Sequence, residues 1–119
     1  MNPKDHKDWV VWKKSMDLVT LVYQMTSKFP RNELHGLSSQ MQRSAVSIPS
    51  NIAEGYRRIN KKELYNFCRI AYASAGELET QLEIAKRLKY IKEEDFLNLS
   101  LLLNEVVKIL ASYLFKKSS

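Results

Sequence analysis

Between residues 43 and 69 the chain places six basic side chains, Arg43, Arg57, Arg58, Lys61, Lys62 and Arg69, against two acids, Glu54 and Glu63. Arg43, Ser47, Ser50, Glu54 and Arg57 recur at intervals of 4, 3, 4 and 3, the spacing of one helix face. Guanidinium groups interleaved with small hydroxyls suit phosphate: arginine brings charge and paired donors, serine a short hydrogen bond. Arg58, Lys61, Lys62 and Arg69 carry the charge across the following turn. These six residues are the candidate site, a face for RNA or DNA. The same pattern also fits an ordinary solvated helix face.

Other reactive residues form weaker constellations. Arg31 and His35 stand just after Pro30 with three residues between them. HEPN-type helical ribonucleases use such an Arg and His, but with four to six intervening residues. Here the two share a helix face only if a helix begins at once after Pro30. Glu77, Glu79 and Glu83 crowd one region, but they lack histidine partners and read as a solvated acidic face beside Lys86 and Arg87. Cys68 has no basic neighbour in the pattern and reads as a small buried hydrophobe. No Gly-rich phosphate loop, nucleophile elbow or Glu-x-x-His pair occurs, so neither catalysis nor a metal or other cofactor is expected.

Composition narrows the classes further. A chain of 119 residues and 13.9 kDa fits a single domain spanning residues 1–119. Three Gly and three Pro are too few for a turn-dense β fold, and one Cys rules out an internal disulfide framework. With 45% hydrophobic and 27% charged residues the chain is neither a disordered tail nor a membrane protein. No run of about 18 apolar residues and no signal-peptide core is present, so a soluble cytoplasmic domain without a membrane partner is expected. The net charge of +6 and pI near 9.5 are compatible with an acidic partner, most simply nucleic acid.

Four amphipathic segments must position these residues. The first, Asp8 to Ser27, presents Trp12, Met16, Val19 and Tyr23 as its apolar face and ends before Pro30. The second, Leu34 to Arg58, repeats Leu37, Met41, Ala45, Ile48, Ile52 and Tyr56 in one phase. That phase continues across Pro49, which predicts one kinked helix rather than two. Asn60 and Glu63 form a capping box for the third, whose core stripe is Leu64, Phe67, Ala71, Ala75, Leu78, Leu82 and Ala85. The fourth, Glu93 to Phe115, opens on three acids and ends in Lys116 and Lys117, both suited to the helix dipole. Short breaks between long helices predict an all-α, antiparallel up-down-up-down four-helix bundle. The polar residues of the fourth helix, Asn98 to Ser112, fill an arc of only about 160° at helical spacing. Its apolar arc is wider than one bundle core needs, and Leu97, Leu101 and Phe115 intrude on the polar side. The surplus predicts self-association.

Two blocks carry a family resemblance: Ser47-Ile48-Pro49-Ser50-Asn51-Ile52-Ala53-Glu54-Gly55, and Glu77-Leu78-Glu79-Thr80-Gln81-Leu82-Glu83-Ile84-Ala85. Together they resemble the bacterial four-helix-bundle family named after reading frames inside 23S rRNA intervening sequences, and the match runs from Val11-Trp12 into the fourth helix. The resemblance implies a four-helix bundle, no established enzymatic activity, and assembly into homopentameric barrels. One relative, the accessory protein of diversity-generating retroelements, is a basic pentamer that binds nucleic acid and a reverse transcriptase. The chain departs from the family pattern in three places. Gln42 replaces one of two basic residues, Tyr72-Ala73 replaces an Arg-Gly, and Lys89 replaces a Gly near the end of the third helix. The expectation is a small oligomeric adaptor, without enzymatic activity, that binds RNA or DNA. A protein–protein scaffold is the alternative, and an endoribonuclease using Arg31 and His35 a minor one.

Overall fold

A computed structural model describes residues 5–116. Among these, four helices follow in order: α1 (Val10–Thr26), α2 (Leu37–Tyr56), α3 (Lys61–Arg87) and α4 (Glu93–Leu114). Short 3-10 turns at His6–Asp8 and Arg31–Glu33 precede α1 and α2, and there is no strand among the described residues. Helix α1 packs on α2 and α4, and α3 packs on the same two. The helices thus stand at the corners of a square, sequential neighbours antiparallel, in a bundle 46 × 25 × 20 Å in extent. The all-α expectation holds. Lys117, expected beyond the last helix, lies outside the described residues.

The core follows the stripes read from α2 and α3. Met41, Ala45, Ile48 and Ile52 meet Ala71, Ala75, Leu78 and Leu82, all fully buried or nearly so, while Leu64 and Phe67 are only half-buried. Pro49 sits inside an unbroken α2 and is itself buried. The continuous phase of the stripe is the reason: a restart would have turned Ile52 away from Ile48.

Helix α1 corrects the sequence reading. Its buried residues are Ser15, Leu18, Val22, Met25 and Thr26, while Met16 and Tyr23 are exposed. Two apolar stripes run along this helix about 100° apart. The chosen one, through Trp12 and Val19, forms the half-buried flank. Small hydroxyls permit the other to face inward: Ser15 Oγ donates to the Trp12 carbonyl at 2.8 Å and Thr26 Oγ1 to the Val22 carbonyl at 2.8 Å. Thr26 Oγ1 also accepts from Gln42 Nε2 at 2.9 Å, tying α1 to α2.

The helix ends are closed by specific residues. Asn60 Oδ1 accepts from the Lys62 and Glu63 N–H groups at 2.8 and 3.2 Å, capping α3 as expected, while the Glu63 carboxylate does not return the bond that would complete the box. At the other end Lys89 has φ 62°, and the Lys89 and Tyr90 N–H groups reach back to the Lys86 and Ala85 carbonyls. That is a Schellman cap built without glycine. Helix α2 begins at Leu37 rather than Leu34. Glu33 Oε1 accepts from the Leu37 N–H at 3.1 Å, and Glu33 Oε2 accepts from the Tyr90 hydroxyl at 2.8 Å. That hydrogen bond, with some burial, raises the Tyr90 pKa above its usual value. One carboxylate therefore links the start of α2 to the turn after α3.

Candidate nucleic-acid interface

The α2–α3 turn gathers most of the candidate cations. Helix α2 closes when the Arg57 and Arg58 N–H groups bond back to the Ala53 and Gly55 carbonyls, and α3 opens four residues later at Lys61. Gly55 lets the two helices converge here, because a Cβ on it would lie 3.0 Å from both Leu64 Cδ1 and Phe67 Cβ. Arg57, Arg58, Lys61 and Lys62 consequently share one corner of the bundle, all exposed.

Their environments differ. Arg58 is held: Nη2 lies 3.0 Å from Glu54 Oε1, and its guanidinium carbon stands 5.0 Å from the Phe67 ring centre. Arg57, Lys61 and Lys62 make no ion pair within 4 Å among the described residues. The charge of Arg57 is felt at Asp5. That carboxyl is held below its usual range first by the Lys7 N–H, then by the charges of His6, Lys7 and Arg57.

Arg69 and Arg43 extend the site unequally. Arg69 follows Lys62 on the same outward face of α3, about 10 Å along the axis. Arg43 lies near the other end of α2, about 21 Å from Arg57. The six residues form a cluster of four, a neighbour and an outlier.

The hydroxyls of the stripe also divide. Ser50 is exposed, but Ser47 Oγ lies 2.7 Å from Ser74 Oγ, inside the α2–α3 contact. Asn51 Nδ2 donates to the Ser47 carbonyl and hydroxyl at 2.8 and 3.0 Å. Ser47 was expected on the outward stripe; its side chain instead joins two helices. It lies about 100° from the Ile48 core line, close enough for the tightly packed α3 to cover it.

Two further cations join this end that the sequence reading did not assign to the site. Antiparallel topology brings the start of α1 and the end of α4 to the same end of the bundle as the α2–α3 corner, which places exposed Lys7 and Lys116 there. They sit at opposite ends of the chain, so only the folded topology groups them.

Arg31, His35 and the Glu77–Glu83 group stay apart from this end. Arg31 lies in its own 3-10 turn and His35 in the bend before α2, so no common helix face holds them. Among the described residues no group of three or more His, Cys, Asp or Glu could hold a metal. Glu83 pairs with Arg87 at 3.2 Å, while Lys86 lies 4.0 Å from Glu93 and over the Phe96 ring. Cys68 is buried, and desolvation pushes its thiol up to about 11.

Fold, helix order and both sequence blocks are now in place, and the model of the 23S rRNA-intervening sequence proteins matches residues 7–112. The chain belongs to that family. A solved structure from Bacteroides thetaiotaomicron VPI-5482, a protein of unknown function from the S23 ribosomal protein family, is similar at 28% identity. It has a TM-score of 0.81, and the match covers 91% of this chain and 100% of that one. No curated protein matches. Within this 23S rRNA-intervening sequence protein the first signature block is largely an instruction for packing. Ser47, Ile48, Asn51, Ile52 and Gly55 all face α3 or the core, and its exposed members are Ser50 and Glu54.

Proposed function

We propose that this protein is a cytoplasmic, self-associating adaptor without enzymatic activity that binds the phosphate backbone of RNA or DNA through the basic end of its bundle. The observation that carries the reading is the corner itself. Arg57, Arg58, Lys61 and Lys62 lie within six residues at one turn, and among the described residues only Arg58 is in an ion pair. Phosphate contacts of this kind position a nucleic acid without reading its sequence.

The test is titration of unrelated single-stranded and duplex oligonucleotides across salt. Four engaged cations per subunit give a log–log slope of about −3 for single strands and about −4 for duplexes. Arg57→Glu with Lys62→Glu is the decisive variant, since both side chains are exposed and make no ion pair with the described residues. Helicity and melting temperature should hold while binding is lost. No binding by the wild type at low salt, or undiminished binding by the variant, overturns the reading.

A specific observation favours the scaffold alternative as a second reading. Ile84, Leu97 and Leu101 are exposed and form the apolar part of a groove of about 840 Å³ between α3 and α4, which Glu79, Glu83 and Arg87 also line. Met16 and Val46 line a smaller one of about 350 Å³ between α1 and α2. These walls are opposite sides of the square, so the protein offers two unlike apolar faces for subunit contacts.

A further inference from the structure

The basic end of the bundle holds a second feature, which shares only Lys61 with the proposed phosphate corner. A cavity of about 620 Å³ opens between the start of α1, the start of α3 and the end of α4. Such a volume is in the range of small-molecule sites, roughly 300–1,000 Å³. Val11, Leu64, Cys68, Ile109 and Leu110 make an apolar interior, and Trp9 and Tyr113 complete it. The thiol of Cys68 is its one titratable interior group besides Tyr113, and both have pKa values raised by desolvation first, so the interior is uncharged. Lys61 and Asp8 stand at the rim. At this end of the bundle six cations, Lys61, Lys62, Arg57, Arg58, Lys7 and Lys116, outnumber four acids, Asp8, Asp5, Glu54 and Glu63.

From this juxtaposition of an uncharged apolar interior, Lys61 at the rim and a net positive bundle end around it, we infer that the cavity binds a small amphiphilic anion: one alkyl chain inside, a carboxylate at Lys61. A nucleobase fits less well, since the aliphatic walls offer few partners for its polar edge. A cationic amphiphile would meet the wrong field at the mouth. The inference does not rest on nucleic-acid binding.

The probe is decanoate, titrated calorimetrically into the full-length protein well below its micellar concentration, beside decanol and decyltrimethylammonium. Decanoate should bind most tightly, and shortening its chain should weaken binding about fourfold per methylene. Lys61→Gln should lower affinity for decanoate about tenfold and leave decanol unchanged, which a nonspecific apolar effect would not do. Ile109→Phe, filling the cavity from a half-buried position, should weaken both. If Ile109→Phe fails to fold, the chain-length series and the Lys61→Gln comparison decide. Absence of decanoate binding, or equal binding of the cationic analogue, overturns the inference. Failure of nucleic-acid binding alone leaves it standing.

Discussion

Lys89 shows how a single residue can carry a cost that its helix absorbs. Its φ of 62° is the left-handed region, where a side chain costs about 1–2 kcal/mol relative to glycine. The residue persists because the cap it permits satisfies two carbonyls of α3 and delivers Tyr90 to Glu33. Lys89→Gly should therefore stabilise the protein by about 0.5–1 kcal/mol, the relief of strain less the extra unfolded-state entropy. Lys89→Val should destabilise it; chemical denaturation measures both. Cys68 makes a pH-dependent prediction of the same kind. Its thiol pKa is raised from 9.0 to about 11 in the folded protein, so the unfolded chain ionises first as pH rises. The stability this group contributes is complete below the lower value and is lost on passing through the higher. Relative to Cys68→Ala, the wild type should lose ground between about pH 8 and pH 11, as denaturant midpoints across that range would show.

At the scale of elements, what could be read in advance was whatever a single stripe determines. Helices α2 and α3 each carry one apolar line flanked by polar residues, so their phase, the passage through Pro49 and the buried Leu82 were all accessible. Leu82→Ala should cost about 2–5 kcal/mol, with a value near zero showing that the α3 phase is wrong. Helix α1 carries two apolar lines, and periodicity alone cannot rank them. The choice was made by where α2 and α4 press on it, and by Ser15 and Thr26 folding their hydroxyls onto α1's own carbonyls. Ser47 escaped for a related reason. A helical wheel gives its angle but not how closely a neighbour approaches, and Gly55 and Ser74 let α3 approach closely. Gly55→Ala should cost about 1–3 kcal/mol through overpacking against Phe67, measurable as a drop in melting temperature. Ser47→Ala should cost about 1 kcal/mol and leave oligonucleotide affinity unchanged. The cation cluster at Arg57–Lys62 was legible because it is local in sequence. Lys7, Lys116 and the end cavity depend on topology and were not.

The whole molecule turns the surplus apolar surface into a statement about symmetry. Helix α4 leaves Leu97 56% and Leu101 64% exposed, while Leu99, Leu103, Val106, Leu110 and Leu114 fill the core. The same composition makes α4 apolar and long enough to pass for a membrane span, but here it is one wall of a bundle, with Asn98, Asn104 and Lys108 on its outer side. A dimer with twofold symmetry would cover α4 with another α4 and leave the α1–α2 groove bare. Contact between the α3–α4 wall of one copy and the α1–α2 wall of the next uses both, and repetition of that unlike pairing closes into a ring or continues as a filament. The ring reading predicts a mass several times 13.9 kDa by light scattering, lowered to that of one subunit by either Leu101→Glu or Met16→Glu. It also predicts complementation. The Met16→Glu chain keeps an intact α3–α4 wall and the Leu101→Glu chain an intact α1–α2 wall, so an equal mixture should form a single good junction. That mixture should scatter as a heterodimer and go no further. A twofold dimer through α4 predicts instead that Met16→Glu assembles normally, and a monomeric wild type at high concentration removes both. A closed ring would also repeat the Arg57–Lys62 corner around one rim. A long oligonucleotide should then bind the wild type far more tightly than a short one, through effective concentration, and that advantage should vanish in Leu101→Glu while the affinity for the short strand stays the same.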